Sequence, residues 1–407
     1  MRGKILIITT VSGFLWQFEQ GNIRILRDMG IEIHYASNFD HPAYSFDDAF
    51  FRKNGIITHS IPICKSPYRL RENARALGML LDLIRRESID VIHCHTPVGA
   101  VLGRLAGRLA RRKVRVIYTA HGFHFYKGAP WKNWILYYPA ERLLARYTDC
   151  LVTINEEDRK SARRFRLKKG GQVHRIPGVG VNLERYGFRP WLREKARRRL
   201  GVRQGQLCIL TAALLDRDKN YQTVLEALAQ LTDLDFQYFI CGEGPYRKAL
   251  EAQIQRLGLQ DKVHLLGFCR DMELLLQGAD LFLFPSLREG LGMAALEAMA
   301  CQKPVICADN RGTREYLRHI ENGMVCSGED HQSFARAIRK MACDPGLQRR
   351  LAKQGQKDVT AHFSHHRAEE IMRRIYREIF SRVCPVSVRS AAYRQSEKAK
   401  EGITNIS

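Results

Sequence analysis

Leu281-Phe-Leu-Phe284 leads through the loop Pro285-Ser-Leu-Arg-Glu-Gly-Leu-Gly292 into Met293-Ala-Ala-Leu-Glu-Ala-Met-Ala-Cys301. The first segment is a short continuous apolar run of the length of a buried strand, and the last is rich in good helix formers. A buried strand followed directly by a helix is typical of the β-α-β unit of a parallel sheet.

The same alternation continues in both directions along the 407 residues. Further apolar runs predict buried strands at residues 5–9, 31–36, 91–95, 114–120, 151–154, 207–213, 236–241, 263–266 and 305–308. Helical patterns between them cover residues 74–87, 99–112, 221–231, 246–257 and 272–277. This length and pattern predict an α/β fold with two Rossmann-like domains that face a central cleft.

The boundary between the domains is predicted at Ile176-Pro-Gly-Val-Gly-Val181, followed by a charged linker over residues 184–203. Residues 1–183 would then form the N-terminal domain and residues 184–385 the C-terminal domain. The amphipathic pattern of residues 367–380 predicts a last helix that packs back on the first domain. Residues 386–407 are polar and lysine-bearing, which predicts a disordered tail.

Eleven cysteines occur without any Cys-x-x-Cys spacing, and five lie in or beside apolar runs: Cys94, Cys150, Cys208, Cys241 and Cys307. An odd number of buried thiols indicates a reducing cytoplasm rather than a disulfide framework or a structural metal. The N-terminal apolar run lacks a small-residue cleavage site, so a first strand is predicted there rather than a signal peptide. No run of about 18 apolar residues predicts a transmembrane helix.

The net charge of +24 is concentrated in two blocks of the first half. Residues 99–116 contain six Lys or Arg and no acid, and residues 159–175 contain eight and none. Nucleic acid is disfavoured because neither block has the aromatics, helix-turn-helix or zinc spacing of a nucleic-acid module. The blocks predict contact with an anionic membrane, where each basic residue contributes on the order of 1 kcal/mol. The alternative is a solvated basic surface.

Two carboxylates, Glu289 and Glu297, flank the entrance to the helix that begins near Met293. Glu297 would lie about one turn inside that helix, and Glu289 beside its positive N-terminal end. A sugar nucleotide suits this arrangement, because its hydroxyls donate to carboxylates and its diphosphate is stabilised by helix amides and a cation. The alternative is a loop end and a solvated helix residue.

Other polar or flexible residues follow the predicted strands of the second half. Arg217 and Lys219 follow the strand that ends at residue 213 and would neutralise a diphosphate leaving group. Their alternative role is surface pairing with Asp216 and Asp218, which is worth little. Gly242-Glu-Gly-Pro245 would allow close backbone approach, and Gly267-Phe-Cys-Arg270 would let backbone groups read a nucleobase.

In the first half, Thr10-Val-Ser-Gly13 follows the first strand and would place a glycine near the phosphates. Three histidines, His95, His121 and His124, follow later strands and are expected to converge on the cleft. A metal cluster is the alternative, but cysteines and acids at ligand spacing are missing nearby, which favours hydrogen-bonding roles. His121, directly after a strand, is the preferred functional histidine.

These residues resemble the retaining glycosyltransferases of family 4, which have the two-domain GT-B fold. The segment from Glu289 to Glu297 looks like the Glu-x7-Glu motif of that family, Lys219 looks like its phosphate-binding lysine, and Asn322-Gly323 is similar to its late Asn-Gly turn. The resemblance covers about residues 1–380. Three segments resemble the bacterial capsular and exopolysaccharide branch: His93-Cys-His-Thr-Pro-Val-Gly99, Thr119-Ala-His-Gly-Phe-His-Phe-Tyr-Lys-Gly-Ala-Pro130 and Ile176-Pro-Gly-Val-Gly-Val181.

The resemblance implies a nucleotide-sugar-binding C-terminal domain and an acceptor-binding N-terminal domain. Glu297 would bind the ribose hydroxyls, Glu289 the donor sugar and Lys219 the diphosphate, and the loop at Gly13 would approach it. The remaining donor-binding candidates are Arg217, Gly242, Arg270 and the backbone amides near Leu291, Gly292 and Met293. His121 would lie by the reacting centre, with His95 and His124 on the acceptor side.

The implied reaction moves a sugar, with retained configuration, from a nucleotide diphosphate sugar such as a UDP-sugar to a lipid-linked saccharide. The implied enzyme is a hexosyl- or N-acetylhexosaminyltransferase that needs no metal or other cofactor and acts at the cytoplasmic face of the plasma membrane. One departure is Leu214, where many relatives carry an arginine; Arg217 is the candidate replacement. The alternatives are a sugar-nucleotide epimerase of the same fold and a non-catalytic basic protein that binds membrane or RNA.

Overall fold

The computed structural model describes residues 3–40 and 47–383, and these form two compact units. Unit 1 contains the described residues of Met1–Val179 and Ala368–Ser407, and unit 2 is Gly180–Arg367. The division thus falls between Val179 and Gly180 rather than after residue 183. The tail predicted over residues 386–407 lies outside the described residues.

Unit 1 is built on a seven-stranded parallel sheet with the order β3-β2-β1-β4-β5-β6-β7. Its strands are β1 (Lys4–Ile8), β2 (Glu32–Ser37), β3 (Ile57–Ser60), β4 (Val91–Cys94), β5 (Arg115–Ala120), β6 (Cys150–Thr153) and β7 (Gln172–Arg175). Ile8 pairs with Ala36 on one side and Cys94 on the other. The direction of strand order therefore reverses between β1 and β4, which creates a crevice at their carboxyl ends.

The helices of unit 1 connect these strands and pack on the sheet. They are α1 (Phe14–Phe18), α2 (Gln20–Asp28), α3 (Asp48–Lys53), α4 (Leu70–Arg86), α5 (Pro97–Leu109), α6 (Trp131–Leu144) and α7 (Glu156–Ala162). The helices α4 and α5 bury their apolar faces, as at Leu80 and Ala106, which are fully inaccessible. A central parallel sheet is buried on both faces, which explains the continuous apolar runs in its sequence.

Unit 2 is built on a six-stranded parallel sheet with the order β10-β9-β8-β11-β12-β13. Its strands are β8 (Leu207–Ala212), β9 (Phe236–Cys241), β10 (Val263–Gly267), β11 (Leu281–Phe284), β12 (Val305–Ala308) and β13 (Met324–Cys326). Its helices are α8 (Arg193–Leu200), α9 (Tyr221–Ala229), α10 (Arg247–Arg256), α11 (Met272–Gly278), α12 (Met293–Ala300), α13 (His331–Cys343) and α14 (Pro345–His362). Here the order reverses between β8 and β11. The two sheets confirm the predicted fold class of two Rossmann-like domains.

The predicted charged linker over residues 184–203 is wrong, because this stretch is a folded part of unit 2. Arg197, in α8, donates to Asp280 at 2.9 Å, and Arg193 pairs with the same carboxylate. Ala196 is fully buried between them. A helix whose arginines pair with a carboxylate of its own unit and whose alanine is buried packs on that unit, although its composition alone indicates a solvated segment.

The last helix, α15 (His365–Ser381), belongs to unit 1 from Ala368 onward. Its Tyr376 hydroxyl forms a 2.8 Å hydrogen bond with Nδ1 of His93, which lies in β4. None of the helices within residues 3–40 and 47–383 is long and apolar enough to span a bilayer. The five cysteines predicted as buried free thiols are so: Cys94, Cys150, Cys208, Cys241 and Cys307.

Candidate functional site

The crevice of unit 2 is formed by the loops that follow β8 and β11, the two strands between which the order reverses. The first loop leads into a 3-10 helix, Arg217–Lys219, and the second leads through Glu289 into α12. The backbone joins the two loops, because the Leu287 amide donates to the Asp218 carbonyl at 2.9 Å. The residues of both loops are therefore held in one place.

Lys219 and Glu289 form a partly buried ion pair in this crevice. The Lys219 ammonium lies 2.6 Å from Glu289 Oε1, and the two side chains are 21% and 15% exposed. Lys219 thus pairs with the first carboxylate of the motif rather than with Asp216 or Asp218. An ammonium group has three donors, so Lys219 has protons left for the oxygens of a phosphate.

The N-terminus of α12 faces the same crevice without a side-chain cap. Its N-cap residue, Gly292, has a φ of +92°, and a Cβ there would lie 2.8 Å from the ring of Phe284. Only glycine therefore fits without strain. Since no side chain accepts from the first turn, its amides and the positive end of the helix are available to an anion. The Leu291 side chain is buried, so this residue offers its backbone.

Glu297 lies one turn inside α12, as predicted, and is enclosed by groups that the sequence did not indicate. Burial raises the pKa of its carboxyl to about 7, although the Arg185 charge and a hydrogen bond from Tyr186 oppose that rise. Glu273 holds Arg185 in place at 2.9 Å. At neutral pH the carboxyl is close to its midpoint, so a ligand that donates hydrogen bonds to it will favour the ionised form.

The other donor-binding candidates of unit 2 differ in how closely the surrounding protein packs around them. A Cβ at Gly242 would lie 1.9 Å from the Ala213 carbonyl oxygen, so no side chain fits there. Arg217 is exposed, and its guanidinium has no protein partner within the described part of the chain. Arg270 is exposed as well, and its carbonyl accepts from Arg185 at 2.9 Å.

The crevice of unit 1 lies at the carboxyl ends of β1 and β4. The two loops there are joined by Thr10 and Thr96, whose hydroxyl oxygens lie 2.6 Å apart. Gly13 begins α1 with a φ of −75°, which any residue adopts, so the backbone does not demand glycine. The predicted approach of Gly13 to phosphate therefore has no conformational signature of its own.

Two of the three predicted histidines meet in this crevice. His95 Nδ1 lies 3.1 Å from His121 Nε2, and 3.5 Å from Oε1 of Glu19 in the turn between α1 and α2. His124 instead stacks on Tyr137 of α6, with ring centroids 4.6 Å apart. Glu19 was not predicted as a site residue, although it is the acid whose apparent absence disfavoured a metal cluster.

Glu19, His95 and His121 are called the unit 1 trio below. Their ligand atoms lie within 4.8 Å of one another, and no other such set of possible metal ligands occurs within residues 3–40 and 47–383. Burial raises the pKa of Glu19 to about 7, lowers that of His121 to about 4 and lowers that of His95 well below its usual range. Both imidazoles are therefore neutral at physiological pH.

Two Rossmann-like units, one with a cationic crevice at its strand-order reversal, define the GT-B class of enzymes. Comparison with known families agrees with this class. The family described as "Glycosyltransferase Family 4" matches residues 23–185, and the family described as "Glycosyl transferases group 1" matches residues 193–358.

Individual relatives extend over most of the chain. EpsD of Bacillus subtilis (strain 168), provisionally assigned as a glycosyltransferase, is 40% identical over 380 residues, which are 92% of this chain and 97% of EpsD. The UDP-Gal:alpha-D-GlcNAc-diphosphoundecaprenol alpha-1,3-galactosyltransferase of Escherichia coli is 27% identical over 286 residues, covering 68% and 73%. The crystal structure of Anabaena HepE with UDP and glucose has the same fold, with a TM-score of 0.74 at 20% identity and coverage of 92% and 99%. The chain therefore belongs to the family 4 glycosyltransferases.

Proposed function

We propose that this glycosyltransferase moves a hexosyl or N-acetylhexosaminyl group from a UDP-sugar to a lipid-linked saccharide, with retention of configuration, during synthesis of a bacterial surface polysaccharide. The observation that carries the proposal is the Lys219–Glu289 pair beside the uncapped N-terminus of α12. A diphosphate needs a cation and free amides, and a sugar needs carboxylate acceptors. This crevice supplies all of them.

Each residue then has a separate task. Glu297 accepts from the ribose hydroxyls, and Glu289, oriented by Lys219, accepts from a hydroxyl of the donor sugar. As the glycosidic bond breaks, negative charge develops on the diphosphate, where Lys219 and the first amides of α12 stabilise it. These groups supply the charge stabilisation that a metal ion provides elsewhere, so we propose a metal-independent reaction.

Retention is proposed to follow from attack on the same face that the diphosphate leaves. Retaining hydrolases instead use one of two carboxylates as a nucleophile. Here Glu289 is bound by Lys219, and Glu297 is enclosed with Tyr186 and Arg185. Neither carboxyl is free to form a glycosyl-enzyme, and the leaving diphosphate is left as the base that takes the acceptor proton.

The names of the relatives support the substrates. The E. coli relative is named for UDP-Gal and a diphosphoundecaprenol-linked GlcNAc, and the Anabaena structure contains UDP and glucose. A lipid-linked acceptor would bring the enzyme to the inner face of the plasma membrane. An acceptor of this kind also requires a surface on the protein that tolerates a bilayer.

The helix α6 supports this location. It exposes five large apolar side chains, which together are called the α6 surface: Trp131, Trp134, Ile135, Leu136 and Leu143. Trp131 and Ile135 are 75% and 65% exposed. Aromatic residues on an exposed helix are typical of a membrane interface.

Exposed cations flank a residue on which α6 packs. Tyr138 of α6 packs on Phe165 with ring centroids 5.6 Å apart, which brings the helix beside the exposed Arg164 and Arg166. Other members of the basic blocks are engaged inside unit 1; Arg104, for example, is buried and pairs with Glu141 at 2.6 Å. Fewer basic residues are therefore available to contact a membrane than the sequence pattern predicts.

The function is tested by thermal shift and then by transfer. UDP-glucose, UDP-galactose and UDP-N-acetylglucosamine are compared for stabilisation of the protein, since a ligand of the native state raises the unfolding temperature. The donor that binds is offered with N-acetylglucosamine linked through diphosphate to a short polyprenol. Glu297→Ala should abolish the shift and the transfer, whereas Glu194→Ala, an exposed carboxylate on α8, should change neither. Unchanged turnover in Glu297→Ala would contradict the assignment.

The same assay separates the alternatives. Incubation of the donor without acceptor yields an epimer only if the enzyme is a sugar-nucleotide epimerase. A protein that shows no donor-induced shift but binds RNA at physiological salt would be a basic binding protein instead.

Membrane docking is tested by sedimentation with vesicles. Wild-type protein should bind phosphatidylglycerol-containing vesicles in a salt-sensitive way, and Ile135→Glu should weaken that binding about tenfold. Trp191→Glu is the matched control, because Trp191 is also exposed but lies in unit 2. Equal binding to neutral phosphatidylcholine vesicles would contradict the role of the basic residues.

A further inference from the structure

The unit 1 trio is built around a single nitrogen atom. Nδ1 of His95 faces both His121 Nε2, at 3.1 Å, and Glu19 Oε1, at 3.5 Å. The three residues come from different parts of the fold: Glu19 lies in the turn between α1 and α2, His95 follows β4 and His121 follows β5. Glu19 and His95 are only 4% and 1% exposed, so solvent screens the electrostatic interaction between them very little.

A ring nitrogen of a neutral histidine carries either a proton or a lone pair. If His95 Nδ1 carried the lone pair, it would face the oxygen of an ionised Glu19 with no proton between them. If it carries the proton, the N–H donates to His121 Nε2 and also points its positive end toward the carboxylate. An ionised Glu19 therefore favours the Nδ1–H form of His95.

The other nitrogen of His95 favours the same form. His95 Nε2 is buried and has no hydrogen-bond partner within the described part of the chain. A buried N–H without an acceptor is costly and is rarer than an unpaired acceptor. The proton of His95 is therefore better placed on Nδ1, where it has a partner.

We propose that Glu19 and His95 are positioning residues for the transfer reaction, which fix His121 as a hydrogen-bond donor to the bound substrate. Because His121 Nε2 accepts from His95, a neutral His121 carries its own proton on Nδ1. That N–H has no partner within residues 3–40 and 47–383 and is left for a substrate oxygen. This role of His121 rests on the proposed function, whereas the choice of tautomer does not.

The surroundings hold the trio in place. Asn22 donates to the second oxygen of Glu19 and so aims Oε1 at His95. Behind His95, His93 is bound through one nitrogen to Tyr376 and through the other to Thr119, both at 2.8 Å. His93 is thus fully occupied and cannot compete for the proton of His95.

The remaining titratable groups near Glu19 do not change charge near neutral pH. Tyr35, on β2, and Tyr376, on α15, are both influenced by the charge of Glu19, and burial raises the pKa of each. Burial lowers the pKa of His93 to about 3. Since the pKa of Glu19 is raised to about 7, Glu19 is the member of this group that titrates there.

The sign of the pH effect follows from which form of Glu19 is active. The ionised carboxylate stabilises the His95 proton on Nδ1, whereas a protonated Glu19 would donate its own O–H to Nδ1 and displace that proton to Nε2, so the turnover rate should rise with pH through the pKa of about 7. A single group with that pKa gives a rise of about tenfold between pH 6 and pH 8. The KM for the donor should change less than about twofold, because Glu19 acts through His121.

The kinetic test compares four proteins from pH 5.5 to pH 9. In Glu19→Gln, Asn22 keeps the amide oxygen, so the amide NH2 faces His95 as a protonated carboxyl would; the rate should stay at the low-pH level throughout. Asn22→Ala removes a hydrogen bond that lowers the pKa of Glu19, so its inflection should move to higher pH. Glu72→Gln, an exposed carboxylate on α4, should behave like wild type. Full activity with an intact inflection in Glu19→Gln overturns the proposal.

A second measurement does not depend on activity. In protein labelled with ¹⁵N-histidine, the His121 imidazole at pH 8 should be protonated on Nδ1 in wild type and should lose that preference in Glu19→Gln, with His121→Gln used for assignment. An unchanged His121 tautomer overturns the proposal even if transfer is never detected, while absent transfer with the expected tautomer shift overturns the proposed function alone. Stoichiometric binding of Zn²⁺ at micromolar concentration, lost in Glu19→Gln, would make the trio a metal site and also overturn the proposal.

Discussion

The crevices of the two units lie at the same topological position but differ in the charge of the side chains that line them. In unit 2 a Lys219–Glu289 ion pair, 21% and 15% exposed, lies beside uncapped helix amides. In unit 1 the buried Glu19 and His95 and the half-buried His121 form a trio of one carboxyl and two neutral imidazoles. The reversal of strand order determines where each crevice lies, and the residue types determine whether it suits an anion or a hydroxyl.

The largest expected effect comes from removing the charge of unit 2. Lys219→Met keeps the length of the side chain but removes the cation that pairs with Glu289 and that we propose for the diphosphate, so transfer should fall by about 100-fold or more. The thermal shift caused by the bound UDP-sugar should also be lost. Steady-state transfer and thermal shift measure the two effects.

Arg217→Ala is the matched variant for that experiment. Arg217 is exposed and without a protein partner in the described residues, and it is the candidate replacement for an arginine at Leu214. If Arg217 supplies the second cation, its loss should cost about tenfold, less than the loss of Lys219. A full rate in Arg217→Ala would leave Lys219 as the cation on which the diphosphate depends.

The next effect concerns the backbone of the unit 2 crevice. In Gly292→Ala the new Cβ would lie 2.8 Å from the Phe284 ring and 3.0 Å from the Tyr316 hydroxyl, at a φ of +92°. The strain and the overlap should destabilise the protein by about 1–3 kcal/mol. A lowered temperature of thermal unfolding checks this; an unchanged temperature would show that the entrance to α12 relaxes freely.

A smaller effect distinguishes the carboxyl of unit 2 from that of unit 1. Burial raises the pKa of Glu297 to about 7, and in its proposed role the ionised form accepts more strongly from the ribose hydroxyls, so donor affinity should weaken about tenfold between pH 8 and pH 6. Glu297→Gln should remove this pH dependence. UDP-glucose is used in calorimetric titrations, because the terminal phosphate of UDP itself titrates near pH 6. In Glu19→Gln, donor affinity should keep its pH dependence.

Central strands could be predicted from the sequence, whereas three of the four edge strands could not; the edge strand β10 was the exception. Continuous apolar runs predicted β1, β4, β8 and β11, whose residues are buried on both faces. The strands β3, β7 and β13 were missed, and each lies at an edge of its sheet. Ile57 in β3 is 43% exposed, for example, because an edge strand has less to pack against. Continuous apolar runs in the sequence therefore predict the central strands of a sheet better than its edge strands.

The site was predictable where a side chain lies in the loop or at the position that follows a strand. Lys219, Glu289 and His121 follow β8, β11 and β5, and parallel strands bring such positions to one edge. Glu19 was missed because it lies in the turn between α1 and α2, where no periodicity indicates the direction of a side chain. The available signal was an acidic residue in the apolar region that follows the first strand.

The smallest expected effect is at Gly13, the counterpart in unit 1 of Gly292. Its φ of −75° is compatible with any residue, so Gly13→Ala adds no backbone strain, and the unfolding temperature reports whether this buried position accepts a methyl group. Stability and transfer then separate two roles for this glycine. If the unfolding temperature is unchanged and transfer falls, a substrate approaches the Gly13 backbone closely enough to exclude a methyl group, as predicted for the phosphates. If both are unchanged, the anion is held by unit 2 alone, and the division between a charged and a neutral crevice is complete.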